Sequence, residues 1–267
     1  MSRFVVENIG FGSITRDEFI DQHATDFANH LYNDEPNVRK AIIIVDGTHS
    51  YIHKSSNFRT LRQTYCRHKG RHLLKPALIV APDGHILYIQ DPYFSDARNN
   101  NAAMLRDELE DPERPMSGWV QEGDIVLCDR GNRDVLRLLA QMDLITRTPA
   151  LLDAGERQLS TEDANESRKV TKMRWIVEAR NGHIKSIFQF LNQTMQIQHC
   201  PNLGDFNQIA GALINGYHPP LLMEGADAAM AGRMLQRANE PNELQARVET
   251  ENLATSKCSK MDQTWCR

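Results

Sequence analysis

No two cysteines stand in a CxxC spacing, and the five that occur (Cys66, Cys128, Cys200, Cys258, Cys266) are odd in number and widely scattered. That pattern argues against a zinc ribbon and a disulfide framework, and it fits a reducing compartment, cytosol or nucleus. Long apolar runs are missing too. Stretches such as 42–45 and 77–81 fall far short of the ~20 residues that a membrane-spanning helix needs. Residues 1–10 lack the basic start and apolar stretch of a signal peptide. Neither GxxxxGK nor GxGxxG occurs, so no glycine loop recommends nucleotide hydrolysis or dinucleotide binding. No Ser–His–Asp or Cys–His arrangement suggests covalent catalysis. A formal net charge of −4 excludes a general basic coat, though not a local basic patch.

What is present begins with AIIIVDGTHS, residues 41–50. The β-branched run Ile42–Val45 predicts a strand buried on both faces. Asp46 then stands at the mouth of that strand, where a carboxylate is costly unless paired or metal-bound. Gly47 is expected to turn the chain. Upstream, SITRDEFIDQHATDFANHLY predicts one accessory helix, with Thr15 and Glu18 as a capping box.

Residues 47–82 contain no acid. They carry Lys54, Arg59, Arg62, Arg67, Lys69, Arg71 and Lys75, with four histidines between and Tyr51, Phe58 and Tyr65 interleaved. A solvated basic face is the plainer reading of such a run. Its position beside Asp46 makes a phosphate-facing surface an equal contender, with aromatics able to stack bases. The segment ends in a predicted hairpin, strands near 74–81 and 85–90 about an Asp83-Gly84 turn pair, with Asp83 read as a turn residue. A helix is expected over about 97–109.

GDIVLCDRGNRD repeats the strand-then-acid pattern: the short buried strand Ile125–Cys128 ends at Asp129. Its continuation RDVLRLLAQMDL predicts a helix, and 146–165 a loop over the site. SRKVTKMRWIVEARNGHIKSIFQFLNQTMQ is the longest helical pattern. On it Arg174, Glu178 and Lys185 share roughly one face, expected to point inward with Val177. Two aspartates after adjacent strands and a glutamate on a helix are the oxygen ligands that a two-metal phosphodiester chemistry uses, with Mg2+ or Mn2+ as the matching ions. Lys75, Arg174 and Lys185 would face phosphate and developing charge.

On these residues the chain resembles a DDE superfamily endonuclease of the Harbinger (PIF) transposase kind. The matching blocks are IVDGTHSYI, HLLKPALIVAPDGHILYI, GDIVLCDRG, RKVTKMRWIVEARNGHIKSIF and ALINGYHPPLL. The resemblance implies a catalytic, metal-binding triad of Asp46, Asp129 and Glu178. It implies an RNase H-like α/β fold, a mixed five-stranded sheet flanked by helices. It also implies DNA as substrate, cleavage at transposon ends, a nuclear location and a separate Myb-like DNA-binding partner. Nucleic-acid contacts are assigned to Lys54, Arg67, Lys69, Arg71, Lys75, Arg174 and Lys185. The domain expectation is a helical lead (1–37), the nuclease domain (38–222) and a poorly ordered tail (223–267). Two alternatives stand beside this reading: a domesticated DNA- or protein-binding derivative that cuts nothing, and a related nuclease acting on RNA.

Overall fold

The computed structural model describes residues 2–96, 98–152 and 158–240, together with 247 and 250. Three short helices lead: α1 (Arg3–Asn8), α2 (Arg16–His23) and α3 (Asp26–Tyr32). The single helix expected over 13–32 is therefore two. The Thr15–Glu18 capping box forms, but Thr25 starts a new cap by accepting the Ala28 N–H (3.2 Å). Next come β1 (Ile42–Gly47), β2 (Ser50–Tyr51), α4 (Phe58–Thr64), β3 (Tyr65–Cys66), β4 (Arg71–Val80) and β5 (Ile86–Phe94). Then follow α5 (Asn101–Glu110), β6 (Ile125–Cys128), a 3-10 turn (Arg130–Val135), α6 (Leu136–Gln141) and β7 (Ile145–Arg147). The last elements are α7 (Thr161–Ile187), α8 (Gln189–Asn192), a second 3-10 turn, α9 (Leu203–Tyr217) and α10 (Ala228–Ala238).

The sheet is mixed and is flanked by helices on both faces. Its long strands run β5-β4-β1-β6-β7, with β4 antiparallel to β1 and β5, and β1, β6 and β7 mutually parallel. Seven strands are present among the described residues, not five. The additional two are the two-residue β2 and β3, both on β4. β2 prolongs β1 along the same edge of β4, and the Thr48 N–H bond to Pro76 O (2.8 Å) keeps the ladder between them.

The β-branched run explains why β1 lies at the centre. Ile42 and Ile44 enter one core layer with Met173, Ile176 and Val177 of α7 and Ile214 of α9. Ile43 and Val45 enter the other with Leu105 and Leu109 of α5 and Leu139 of α6. A strand covered on both faces needs no polar alternation. Each of these four side chains is at most 5% exposed, worth roughly 1.5–3 kcal/mol apiece relative to exposure.

Elsewhere the periodicity misleads in detail. In α9, Ile209 is exposed while Asn207 and Gln208 are buried, and Gln208 donates to the Ile89 carbonyl (2.5 Å). Although an Asn-Gly pair such as Asn215-Gly216 commonly stops a helix, α9 runs through it to Tyr217. The Asn215 side chain instead brackets Ile86, accepting its N–H (2.9 Å) and donating to its carbonyl (2.9 Å). The helix expected over 97–109 begins at Asn101, capped by Asn100; residue 97 lies outside the described residues. The loop expected over 146–165 is shorter: β7 opens it, α7 begins at Thr161, and 153–157 lie outside the described residues. The tail is a packed element over α10, which rests on α3 with Ala231 fully buried. Most of the remaining tail, with Cys258, Trp265 and Cys266, lies outside the described residues. Among the described residues no helix is long and apolar enough to cross a membrane.

Candidate active site

Parallel pairing sets the site. Val45 on β1 is opposite Cys128 on β6, so the residues that follow, Asp46 and Asp129, leave the two strands side by side. Asp129 then accepts the Arg130 N–H (2.6 Å) and starts the 3-10 turn. The helix expected over 133–144 is thus divided, 3-10 first and α6 after. On the third side, α7 packs across β1 through Met173, Ile176 and Val177. That packing leaves Arg174 and Glu178 at the edge where the strands end.

The three acids meet around one cation. The Arg174 guanidinium is 3.2 Å from Asp46 Oδ2, 3.4 Å from Asp129 Oδ1 and 3.9 Å from Glu178 Oε1. Arg174 is mostly buried, and its Nε makes no hydrogen bond. Glu178 does not point inward as expected: its side chain is 64% exposed and forms the open rim of the cluster. The reason is helical geometry. Val177 occupies the core-facing position, and the next residue along turns towards solvent. Burial raises the pKa of Asp46. Arg174 opposes that rise, and the neighbouring charges of Asp129 and Glu178 add to it.

Among the described residues no three His, Cys, Asp or Glu side chains already stand close enough together to hold a metal ion. The donor set of two aspartates and a glutamate nevertheless suits a hard divalent cation. Its convergence on a single guanidinium shows that the gap tolerates positive charge. The residues fit Mg2+ or Mn2+ in chemistry, with Arg174 standing where such an ion would compete.

Cations surround the cluster. Lys185 donates to Thr48 Oγ1 (3.0 Å), just past Asp46, and Lys75 donates to the Asn99 carbonyl (2.9 Å). His49 is pushed down to about 4 by burial, then by the charges of Lys69, Lys185, Lys75 and His68. Lys54, Arg67 and Lys75 line an open groove of about 840 Å³. Arg71 does not line it. It lies over the Tyr51 ring (4.2 Å) and donates to Thr194 (3.2 Å), so it is engaged in packing.

Two residues escape sequence reasoning. A Cβ at Gly47 would lie 3.0 Å from Asn101 Oδ1, and one at Gly131 would lie 3.6 Å from Asn101 Nδ2. Asn101, at the start of α5, therefore fills the floor between the two acid-bearing loops. This also corrects the role of Gly47. It ends β1 without a left-handed backbone, and its missing side chain makes room for Asn101. His49, the second, carries no motif that marks it. Only the lysines gathered about it do.

Comparison with curated proteins and with solved structures returned no match. A family model described as DDE superfamily endonuclease matches residues 45–215. That span covers more than half of the chain, opens one residue before Asp46 and includes Asp129, Arg174 and Glu178, so the chain belongs to the DDE superfamily endonucleases.

Proposed function

We propose that this protein is a divalent-metal-dependent DNA endonuclease of the transposase type, with Asp46, Asp129 and Glu178 as its metal-binding catalytic acids. The observation that carries the reading is the convergence of these three carboxylates, from two parallel strands and a helix, on one cation-filled gap. The strand order β5-β4-β1-β6-β7 supports an RNase H-like fold. The block from 168 to 188 supports the Harbinger subtype, and with it a nuclear location and a separate Myb-like DNA-binding partner.

When bound, Mg2+ or Mn2+ would supply an activated oxygen nucleophile and charge neutralisation at the leaving oxygen. The chain's own groups do the rest. Asp46 is held by burial and by Arg174, which fixes its position at the end of β1. Lys185, half-buried and pinned to Thr48, offers a fixed positive charge beside the acids, where it can hold a scissile phosphate. Lys54, Arg67 and Lys75 extend that charge along the groove and track the backbone of the strand. Arg174 offsets part of the negative charge of the three acids and stands where it could also contact a phosphate.

The same bridge favours a second reading, a derivative that binds DNA and cuts nothing, because a permanently seated Arg174 would keep the acids from metal. Nicking of supercoiled plasmid by the full chain separates the two. Activity that needs Mg2+ or Mn2+ and stops with EDTA supports the nuclease. Plasmid binding with no nicking at any metal concentration supports the binder. Parallel assays on duplex DNA, single-stranded DNA and RNA–DNA hybrid test the nucleic-acid class.

A further inference from the structure

The α4 helix is unusual in what it leaves uncovered. Of its seven residues only Thr64 is buried. Phe58, Leu61, Arg62 and the following Tyr65 recur at helical spacing, so they stand on one face. Phe58 is 71% exposed and Tyr65 45% exposed. Leu61, Arg62 and Tyr65 form one wall of the 840 Å³ groove, and Phe58 continues the same face beyond it. Core packing does not account for this face.

The two rings are held in place. Arg62 lies over the Phe58 ring at 5.9 Å. Tyr65 leans on His72 (ring centroids 5.2 Å), and His72 is itself tied to Thr64 Oγ1 through Nδ1 (3.1 Å). Lys54, Arg67, His68 and Lys75 line the same groove, and Asp96 is its only acid among the described residues. The groove also leads to the acids. Asn100 and Lys75 line it, and the next residue, Asn101, packs against Gly47 beside Asp46.

Exposed aromatic rings along a cationic groove bind unpaired bases: the cations take the phosphates and the rings take the base faces. A duplex hides its base faces in the stack, so it can use the charges but not the rings. The volume lies within the roughly 300–1,000 Å³ of small-molecule sites, room enough for a nucleotide. We propose that the α4 face, Phe58, Arg62 and Tyr65, is a stacking platform for unpaired nucleotides of the strand that enters the acid centre. The chain would thereby prefer DNA with a frayed or single-stranded flank over fully paired DNA. This proposal rests on the DNA-binding reading of the groove and adds a strand state to it.

The test uses the full chain, a blunt duplex, and a forked duplex of the same sequence with 2-aminopurine in its unpaired arm. Binding in Ca2+, without cleavage, is followed by anisotropy, and stacking by 2-aminopurine quenching. The expected result is tighter binding of the fork, with quenching. In Phe58→Ala/Tyr65→Ala the fork-to-blunt affinity ratio falls about tenfold, on the scale of aromatic–base stacking, and the quenching is lost. Phe58→Trp, which keeps a ring, retains both. Equal wild-type affinity for fork and blunt duplex overturns the platform while leaving DNA binding intact. An unchanged ratio in the double variant also overturns it. So does concentration-dependent self-association that the double variant abolishes, with fork binding unaltered, because the face would then join two copies of this chain. Absence of binding to either DNA overturns this proposal together with the reading beneath it.

Discussion

Arg174 and Arg180 stand six residues apart on α7, and the chain uses them in opposite ways. Arg180 is 2% exposed, and its donors go to two backbone carbonyls and a histidine: Nε to Gly84 O (2.6 Å), Nη2 to Pro219 O (3.0 Å) and Nη1 to His183 Nδ1 (3.4 Å). It ties the β4–β5 turn to the chain leaving α9. Arg174 reaches carboxylates only, at 3.2–3.9 Å, and keeps one nitrogen unpartnered. Arg180 holds the backbone of two distant segments together from a buried position, so it is part of the scaffold. Carboxylates around a partly open guanidinium can exchange it for another cation, so Arg174 belongs to a site. A polar group whose partners are exchangeable marks function, and one whose partners are obligatory marks architecture.

The largest effect tests the acid side. Asp46→Asn, Asp129→Asn or Glu178→Gln should each lower metal-dependent nicking about a thousandfold or more, the scale of losing several kcal/mol of charge stabilisation. Circular dichroism should show the fold intact. Retained nicking in any of the three would remove that residue from the centre.

Arg180→Ala should break the scaffold instead. Leaving the buried Gly84 carbonyl without its donor and losing the bond to Pro219 should cost about 3 kcal/mol, read as a lower denaturation midpoint in urea. Nicking per folded molecule should stay within about twofold. A large loss of nicking with normal stability would erase the contrast between the two arginines.

The scaffold side also carries a pH dependence. His85 stacks on His23 (centroids 4.0 Å), which bonds to Asp83 Oδ2 (2.8 Å), and its Nε2 is buried without a hydrogen bond. Burial, then the neighbouring His23, pushes His85 from 6.5 down to about 4. Between those values the unfolded chain binds the proton and the folded chain does not. Stability is therefore full above about 6.5 and declines as pH falls towards 4, by up to about 3 kcal/mol. Urea titrations across that window should show a shallower slope in His85→Phe. An unchanged slope would assign the acid sensitivity elsewhere.

The smallest effect sharpens the acid side. Arg174→Gln removes the cation that competes with metal, so Mn2+, followed by loss of its free-ion paramagnetic signal, should bind several-fold more tightly. Stability without metal should fall, because the mostly buried Asp46 loses the cation that compensates it. Weaker Mn2+ binding would show that Arg174 supports metal rather than excluding it.

Asp83 shows why part of this was illegible in the sequence. An Asp-Gly pair between β-rich runs predicts a hairpin turn, and Gly84 does take φ +81° there. Nothing local foretells that Asp83 is buried and meets His23, sixty residues earlier. Gly47 is the converse case: its presence is plain, but its purpose, room for Asn101, depends on where α5 docks. Arg71 belonged by charge to the basic run and by packing to Tyr51 and Thr194.

By itself the sequence determined the buried strands, the acid at the end of each, the long helix with Arg174 and Glu178 four residues apart, and the acid-free basic segment. These are local matters, since apolar patterning and charge placement are read over a few residues. Only the tertiary structure decided that Glu178 opens to solvent, that Arg174 joins all three acids and that α4 leaves its aromatic face bare. Those outcomes depend on how α7 crosses β1 and on what the rest of the chain covers. Contacts between residues as distant as 46 and 174 are set by packing, which no local stretch encodes.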